Sequence, residues 1–317
     1  MKPFILSGSI LILAGLIAAT VIYHQNSREI TYPQLGQAGN VQDNQVSDSE
    51  PEGPQTEQLQ PVNRNEAITY TLQNNELKIS FNNGNDWISV PVEKDELFGG
   101  EYNGNGQELI ENSYILREDL AAFLYADGDN WESQRIMLVY TRDKGQSWEE
   151  SVVIEPYPGI RFRKIDFLNE NFGYVIISGG RSMSQEGSSV FLTDDGGQSW
   201  RETNSSGVTR LISYGGFIDE TTGFLSFGTI NPEEPDLHVT QDGGNTWTKA
   251  IVNVPEEYQQ IFVAAETPVI EDDHLTVLVN QGPNGDYEGG LVKGKFISED
   301  NGKTWEFLME VIPDEAE

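Results

Sequence analysis

The chain has 317 residues, enough for one large domain or two small ones. Its 51 acidic residues against 19 basic ones give a formal charge of −32; such a surface repels phosphate backbones and excludes nucleic acid as a partner. There is no cysteine, which removes disulfides, thiolate metal sites and cysteine nucleophiles from consideration.

In chain order, the first element is an apolar run over residues 4–23, preceded by Met1-Lys2. Its length suits a helix that crosses a bilayer. Positive charge at the N-terminal side places that end in the cytoplasm and the remainder outside. A cleaved signal peptide is the alternative, but the run continues through Val21-Ile22-Tyr23 past the small residues Ala18-Ala19, which favours an uncleaved signal anchor over 1–23. Residues 24–65 are rich in Gln, Asn, Ser, Glu and Pro, too polar to bury a core, and read as a disordered tether. From 66 to 317 the pattern is all-β. Short alternating or β-branched runs at 68–72, 77–81, 136–140, 174–177 and 275–279 are separated by Gly, Asn and Asp clusters. The stretch 118–124 is the one that could pass for a helix, and it is short.

A repeat organises this region. Thr141-Arg142-Asp143-Lys144-Gly145-Gln146-Ser147-Trp148 recurs as Thr193-Asp194-Asp195-Gly196-Gly197-Gln198-Ser199-Trp200, as Thr240-Gln241-Asp242-Gly243-Gly244-Asn245-Thr246-Trp247, and as Ser298-Glu299-Asp300-Asn301-Gly302-Lys303-Thr304-Trp305. A weaker copy contains Asn82, Gly84 and Trp87. Five of the six tryptophans therefore occupy one template, and they recur every 47 to 61 residues, close to the length of a propeller blade. The Asp or Asn side chain is placed to accept backbone N–H groups in a turn, the glycine supplies a positive φ, and the Trp ring offers a large flat surface to a neighbour. A second element, Phe167-Leu168-Asn169-Glu170-Asn171-Phe172-Gly173-Tyr174, is echoed by Phe217-Ile218-Asp219-Glu220-Thr221-Thr222-Gly223-Phe224, where a turn between a blade's first two strands would fall.

The template is the Asp box, or bacterial neuraminidase repeat, and residues 67–313 resemble sialidase-like and photosystem-assembly-factor-like propellers. The resemblance implies a β-propeller of four-stranded blades, each box linking the third and fourth strands. Five blades are expected, with six as the alternative. The first module shows two strands before its box, so its missing inner strand would come from elsewhere.

The box residues Asn82, Asp143, Asp195, Asp242 and Asp300 are read as structural, because repetition in every blade suits a turn and not one asymmetric active site. A sialidase would need three arginines for a carboxylate, a Tyr nucleophile with a Glu partner, and an Asp acid/base. The weak catalytic candidates are Arg163, Arg181 and Arg210 with Tyr174 and Glu170, and Arg161 and Tyr214 lie nearby in sequence. The Phe/Tyr-Arg-Ile-Pro segment typical of sialidases is absent; Arg161-Phe162-Arg163-Lys164-Ile165 lacks its proline. His24, His238 and His274 lack zinc-like spacing, and no metal site or cofactor is expected beyond calcium. For calcium the oxygen-rich runs Asp127-Gly128-Asp129-Asn130 and Glu271-Asp272-Asp273 are the candidates, against the commoner reading of solvated turns. Long loops carry Tyr102, Trp131 and Tyr287, aromatic residues suited to sugar or protein contacts. The expectation is an exported, membrane-anchored bacterial propeller that binds an envelope protein or cell-surface glycan without catalysis. A sialidase-like or other glycosidase is the alternative.

Overall fold

A computed structural model describes residues 59–63, 68–128, 130, 132–183, 185–229, 231–283 and 285–312. The expected anchor, and the expected tether up to residue 58, lie outside these residues. Among the described residues no helix is long and apolar enough to cross a membrane.

The described chain is all-β and forms five sheets. Sheet 1 is β1 (Thr69–Thr71), β2 (Glu76–Ser80) and β3 (Ile88–Glu93), followed by a helical turn, α1 (Lys94–Leu97). Sheet 2 is β4 (Tyr114–Arg117), β5 (Leu120–Asp127), β6 (Gln134–Thr141) and β7 (Glu149–Tyr157). Sheet 3 is β8 (Ile160–Phe167), β9 (Gly173–Ser182), β10 (Gln185–Thr193) and β11 (Arg201–Glu202). Sheet 4 is β12 (Leu211–Phe217), β13 (Gly223–Gly228), β14 (Asp236–Thr240) and β15 (Thr248–Lys249). The next strand, β16 (Ile251–Asn253), crosses to pair in parallel with the last strand of sheet 5. Sheet 5 itself is β17 (Phe262–Ala265), β18 (Val269–Glu271), β19 (His274–Gln281), β20 (Lys293–Ser298) and β21 (Thr304–Val311), with β18 set on β19 beside β17.

Strand periodicity explains the packing. Along β5, Ala121, Phe123 and Tyr125 face sheet 1, whereas Leu120, Ala122, Leu124 and Ala126 face sheet 3. β6 divides the same way, Met137 and Val139 to one side and Ile136, Leu138 and Tyr140 to the other. A strand buried on both faces has no polar alternation, which is why 118–124 imitates a helix in the sequence although Leu120–Asp127 is extended. Four hydrophobic clusters join sheets 1 and 2, 2 and 3, 3 and 4, and 4 and 5. None of the four joins sheet 5 to sheet 1. On the corresponding face of β20 the alternation instead presents Lys293 and Lys295, paired with Glu266 and Glu271.

The second sequence repeat lies where it was expected, between β8 and β9 and between β12 and β13. Its Phe and Gly are cross-strand partners: Phe167 faces Gly173 and Phe217 faces Gly223. A Cβ on either glycine would stand 2.5 or 2.6 Å from that ring, so the aromatic lies flat on the opposite backbone.

Sheet 1 lacks a counterpart of the first strand of the other sheets. Its edge is covered by residues that the sequence assigns to the tether. Val62 N–H donates to the Tyr70 carbonyl (2.8 Å), and Asn63 Oδ1 accepts the Tyr70 N–H (2.9 Å) while its amide donates to the Ile68 carbonyl (2.9 Å). The free edge of β1 at Tyr70 is thereby satisfied locally.

Candidate functional site

The box turns join β6 to β7, β10 to β11, β14 to β15 and β20 to β21, and the weaker copy joins β2 to β3. Their hydrogen bonds repeat closely. Thr141 Oγ1 donates to Asp143 Oδ1 (2.8 Å) and accepts Gly145 N–H (2.9 Å), while Ser147 donates its backbone N–H to Oδ1 (2.9 Å) and its hydroxyl to Oδ2 (2.6 Å). Asp195 and Asp242 make the same set with Thr193 and Ser199, and with Thr240 and Thr246. Asp300 accepts Ser298 Oγ (2.9 Å) and Thr304 N–H (2.8 Å). Gly84, Gly145, Gly197, Gly244 and Gly302 all have φ between 79° and 97°, the left-handed region that the turn requires. The Ser147 hydroxyl, the Ser147 N–H and the Thr141 hydroxyl hold Asp143 down at about 2, and Asp195 is held at about 2 by the same donors of Ser199 and Thr193.

The box tryptophans connect sheets. Trp200 Nε1–H donates to Ser151 Oγ of sheet 2 (3.1 Å), and that hydroxyl donates to the Gly197 carbonyl (2.6 Å). Trp247 Nε1–H donates to the Asn204 carbonyl (3.1 Å). Trp148 lies against Phe123, at 6.3 Å between centroids, and Trp305 is fully buried against Phe224. Trp87 is half-buried beside its own Gly84.

The arginines that a carboxylate-binding trio would need are each bonded to a partner within the protein. Arg163 is 2% exposed and donates to the carbonyls of Leu97 (3.2 Å), Gly99 (2.7 Å) and Tyr102 (2.9 Å), and burial lowers its guanidinium to about 10. It clamps the chain between α1 and β4 onto sheet 3. Arg181 pairs with Glu101 at 2.7 Å, and Arg210 with Asp236. Arg161 pairs with the buried Glu186 and donates to the Ile212 carbonyl (2.8 Å), tying sheet 3 to sheet 4. Tyr174 is buried against Phe217, with its hydroxyl raised above the usual tyrosine value by burial, and Glu170 lies on an exposed turn.

The remaining candidates are dispersed as well. Tyr102 is 54% exposed, Tyr287 donates its hydroxyl to Glu310 Oε1 (2.7 Å) and packs on Tyr258 and Phe262, and Trp131 lies outside the described residues. Of the calcium candidates, Asp127 pairs with Arg135 and Glu271 with Lys295, while Asp129 lies outside the described residues. Among the described residues no group of three His, Asp or Glu is arranged to hold a metal ion. His238 is buried between Phe227 and Asp236, with Nε2 3.2 Å from Asp236 Oδ1.

The side chains that do converge line an inner cavity of about 630 Å³, bounded by the first strands of sheets 3, 4 and 5 and the turn that enters sheet 2. Lys164 comes from β8, Tyr214 and Gly215 from β12, Glu266 and Thr267 from the segment after β17, Asn280 from β19 and Lys293 from β20; Glu111 and Asn112 precede β4. Lys293 and the Asn280 amide (2.8 Å) both engage the Glu266 carboxylate. Burial, and then the Glu266 charge, raises the Tyr214 hydroxyl. Of these residues only Tyr214 drew attention in the sequence. The rest come from segments up to about 180 residues apart, and the Gly215-Gly216 pair inside β12 is the local signal of a close approach.

The BNR/Asp-box repeat profile matches residues 296–307. No curated protein matches the chain. Among solved structures, a protein of unknown function from Dyadobacter fermentans is 16% identical over 62% of this chain and 65% of its own, with a TM-score of 0.39. The chain thus spans less than two thirds of that protein. A GH74 xyloglucanase from Xanthomonas campestris is 14% identical over 76% of this chain and 36% of its own, with a TM-score of 0.42. A Trypanosoma rangeli sialidase is 11% identical over 67% of this chain and 40% of its own, with a TM-score of 0.39. The matched repeat and the four strong hydrogen-bonded copies identify a chain of Asp-box repeats.

Proposed function

We propose that the chain is a binding module displayed outside the cytoplasmic membrane, held there by its apolar N-terminal segment, with an envelope protein or cell-surface glycan as its partner. The sheets would form a propeller of five blades, with the box turns as rigid outer corners and the inner cavity as the receiving surface. The observation that carries this reading is the division of labour among the charged groups. Arg161, Arg163, Arg181 and Arg210 are each committed to an internal partner. The inner cavity, by contrast, presents a lysine, amides and an aromatic hydroxyl to incoming ligand, and no histidine lines it. Hydrogen-bonding groups beside aromatic rings suit a polar ligand held in orientation.

The test is a capture experiment with the full chain in nanodiscs and the envelope fraction of its own organism, before and after protease treatment. Saturable binding that is lost after protease assigns a protein partner, and binding that survives assigns a glycan. No saturable binding in either arm overturns the reading.

A glycan-active enzyme is the second reading, favoured by one observation: two carboxylates, Glu111 and Glu266, line the same cavity. Two carboxyl groups are the minimum equipment of most glycosidases. Turnover of fluorogenic glycosides that disappears in Glu266→Gln would move the enzyme to the front.

A further inference from the structure

Lys164 is a cation that the protein brings into the inner cavity without a carboxylate in ion-pairing distance. It leaves β8, lies beside Gly216 of β12, and reaches Thr267 beyond β17, so it touches three sheets. Its hydrogen bond to Thr267 Oγ1 is long, 3.5 Å, and the Thr267 hydroxyl itself donates to the Gly215 carbonyl at 3.1 Å. An ammonium carries three donors, so most of its capacity is unused by the protein. None of the ion pairs among the described residues includes Lys164.

Two of the carboxylates nearby are engaged elsewhere, and the third, Glu111, lines the cavity without coming within ion-pairing distance of Lys164. Asp166 lies 3.5 Å from Arg117 and accepts the Phe167 N–H at 2.8 Å. Glu266 is neutralised by Lys293 and bonded by Asn280. Burial lowers the Lys164 ammonium below the ordinary lysine value, opposed by the charges of Asp166 and Glu111. A partly desolvated charge without a partner is costly to hold. The backbone makes room for it nonetheless: a Cβ on Gly216 would stand 3.5 Å from Lys164 Nζ, 2.9 Å from Tyr174 Oη and 2.8 Å from Thr267 Cγ2.

We propose that Lys164 anchors a carboxylate-binding subsite in this cavity, with the rings of Phe162 and Tyr214 beside the body of the ligand. The inference rests on the reading of the chain as a binding module. A single free ammonium matches one negative charge. Lys293 already has its carboxylate, so the cavity lacks the second cation that a phosphate dianion would call for. The formal charge of −32 repels anions from the surface at large, so recognition of a carboxylate has to be local.

The test uses the full chain and matched probes. Glucuronate against glucose reports a carbohydrate carboxylate, and N-acetylglutamate amide against N-acetylglutamine amide reports a peptide one. Calorimetric titration is expected to show at least about tenfold preference for the charged member of one pair, the size of one charge-assisted hydrogen bond. Lys164→Met is expected to remove that preference and Lys164→Arg to retain most of it. Lys164→Met should also leave the melting temperature unchanged or raised, since it removes a partly desolvated charge that has no ion-pair partner; a purely structural lysine would lower it. In 15N-lysine spectra the Lys164 titration should move upward when the preferred probe is bound. Equal binding of charged and neutral members, no binding of any probe, or a preference that survives Lys164→Met overturns the subsite. If Lys164→Met loses the probe but still captures the envelope partner, the binding-module reading stands on another surface. If the wild type binds the probe but captures nothing from the envelope, the subsite stands and that reading fails.

Discussion

Asn82 Nδ2 donates to Asp86 Oδ2 at 2.8 Å, which reverses the polarity of the same contact in the stronger copies. There a hydroxyl donates to the aspartate, as Ser147 does to Asp143 at 2.6 Å and Thr246 does to Asp242 at 2.7 Å. The rest of the turn is retained: Ser80 Oγ donates to Asn82 Oδ1 (2.9 Å) and accepts Gly84 N–H (2.8 Å), and Asp86 N–H reaches Asn82 Oδ1 (2.9 Å). The copy that departs most from the template therefore keeps the network by exchanging donor and acceptor between two positions.

That exchange makes the pair testable. Asn82→Asp alone sets two carboxylates against each other and loses one hydrogen bond, and should cost about 1 kcal/mol. Asp86→Ser alone leaves the amide facing a hydroxyl and should cost less. The double change restores the arrangement of the other boxes and should recover most of the loss. Thermal unfolding of the four proteins measures the coupling, and simple additivity of the two single changes would refute the exchange.

The box aspartates make stability fall in acid. Asp143 and Asp195 are held at about 2, whereas an unfolded aspartate titrates near 3.9. A depressed carboxylate stabilises the fold above its unfolded value and loses that contribution as pH falls toward its folded one. Stability should therefore decline between about pH 4 and pH 2, with proton uptake on unfolding in that window. Asp143→Asn with Asp195→Asn should flatten the decline, because an amide keeps the acceptor for the turn but does not titrate. Melting temperatures from pH 6 to pH 2 decide it, and an unchanged slope in the double variant would assign the acid sensitivity to other carboxylates.

Arg163 and Arg181 separate a structural clamp from a surface pair. Arg163→Met should destabilise by about 3 kcal/mol, because one buried and two partly buried carbonyls lose their donor. Arg181→Ala removes a half-exposed pair with Glu101 and should change stability by less than about 1 kcal/mol. Denaturant unfolding of both variants is the measurement. A small effect at Arg163 would mean that the loop after α1 does not depend on it.

These examples show what the sequence could carry. The box is a local motif, each member within seven residues of the next, so its turn, its glycine and its Trp were readable without the fold. The Phe167 and Gly173 pair was readable for the same reason. The inner cavity was not, because Lys164, Tyr214, Glu266 and Lys293 meet only when separate sheets converge, and none carries a spacing that distinguishes it from an ordinary strand residue. Arg163 misled in the opposite direction. An arginine near Tyr174 resembles a ligand-binding group until burial assigns it to backbone carbonyls. The role of residues 59–63 was hidden by their polar neighbours, since only Val62 and the Asn63 side chain are needed to cover the edge of β1.

Gly216 tests whether the cavity's geometry is built or incidental. Its added Cβ would meet Thr267 Cγ2 at 2.8 Å and Tyr174 Oη at 2.9 Å, two groups fixed by packing in sheets 3 and 5. Gly216→Ala should therefore cost about 1 to 3 kcal/mol, the usual range for overpacking. It should also push Lys164 away from Thr267, which lysine-selective spectra would report as a changed Nζ environment. Gly187 in β10 is the control, because its nearest neighbour to a new Cβ is the Gly179 carbonyl at 3.9 Å. Gly187→Ala should lie within about 0.5 kcal/mol of the parent. If the two alanines behave alike, the Gly215-Gly216 segment has room to yield, and the lane that carries Lys164 is not set by the absence of a side chain.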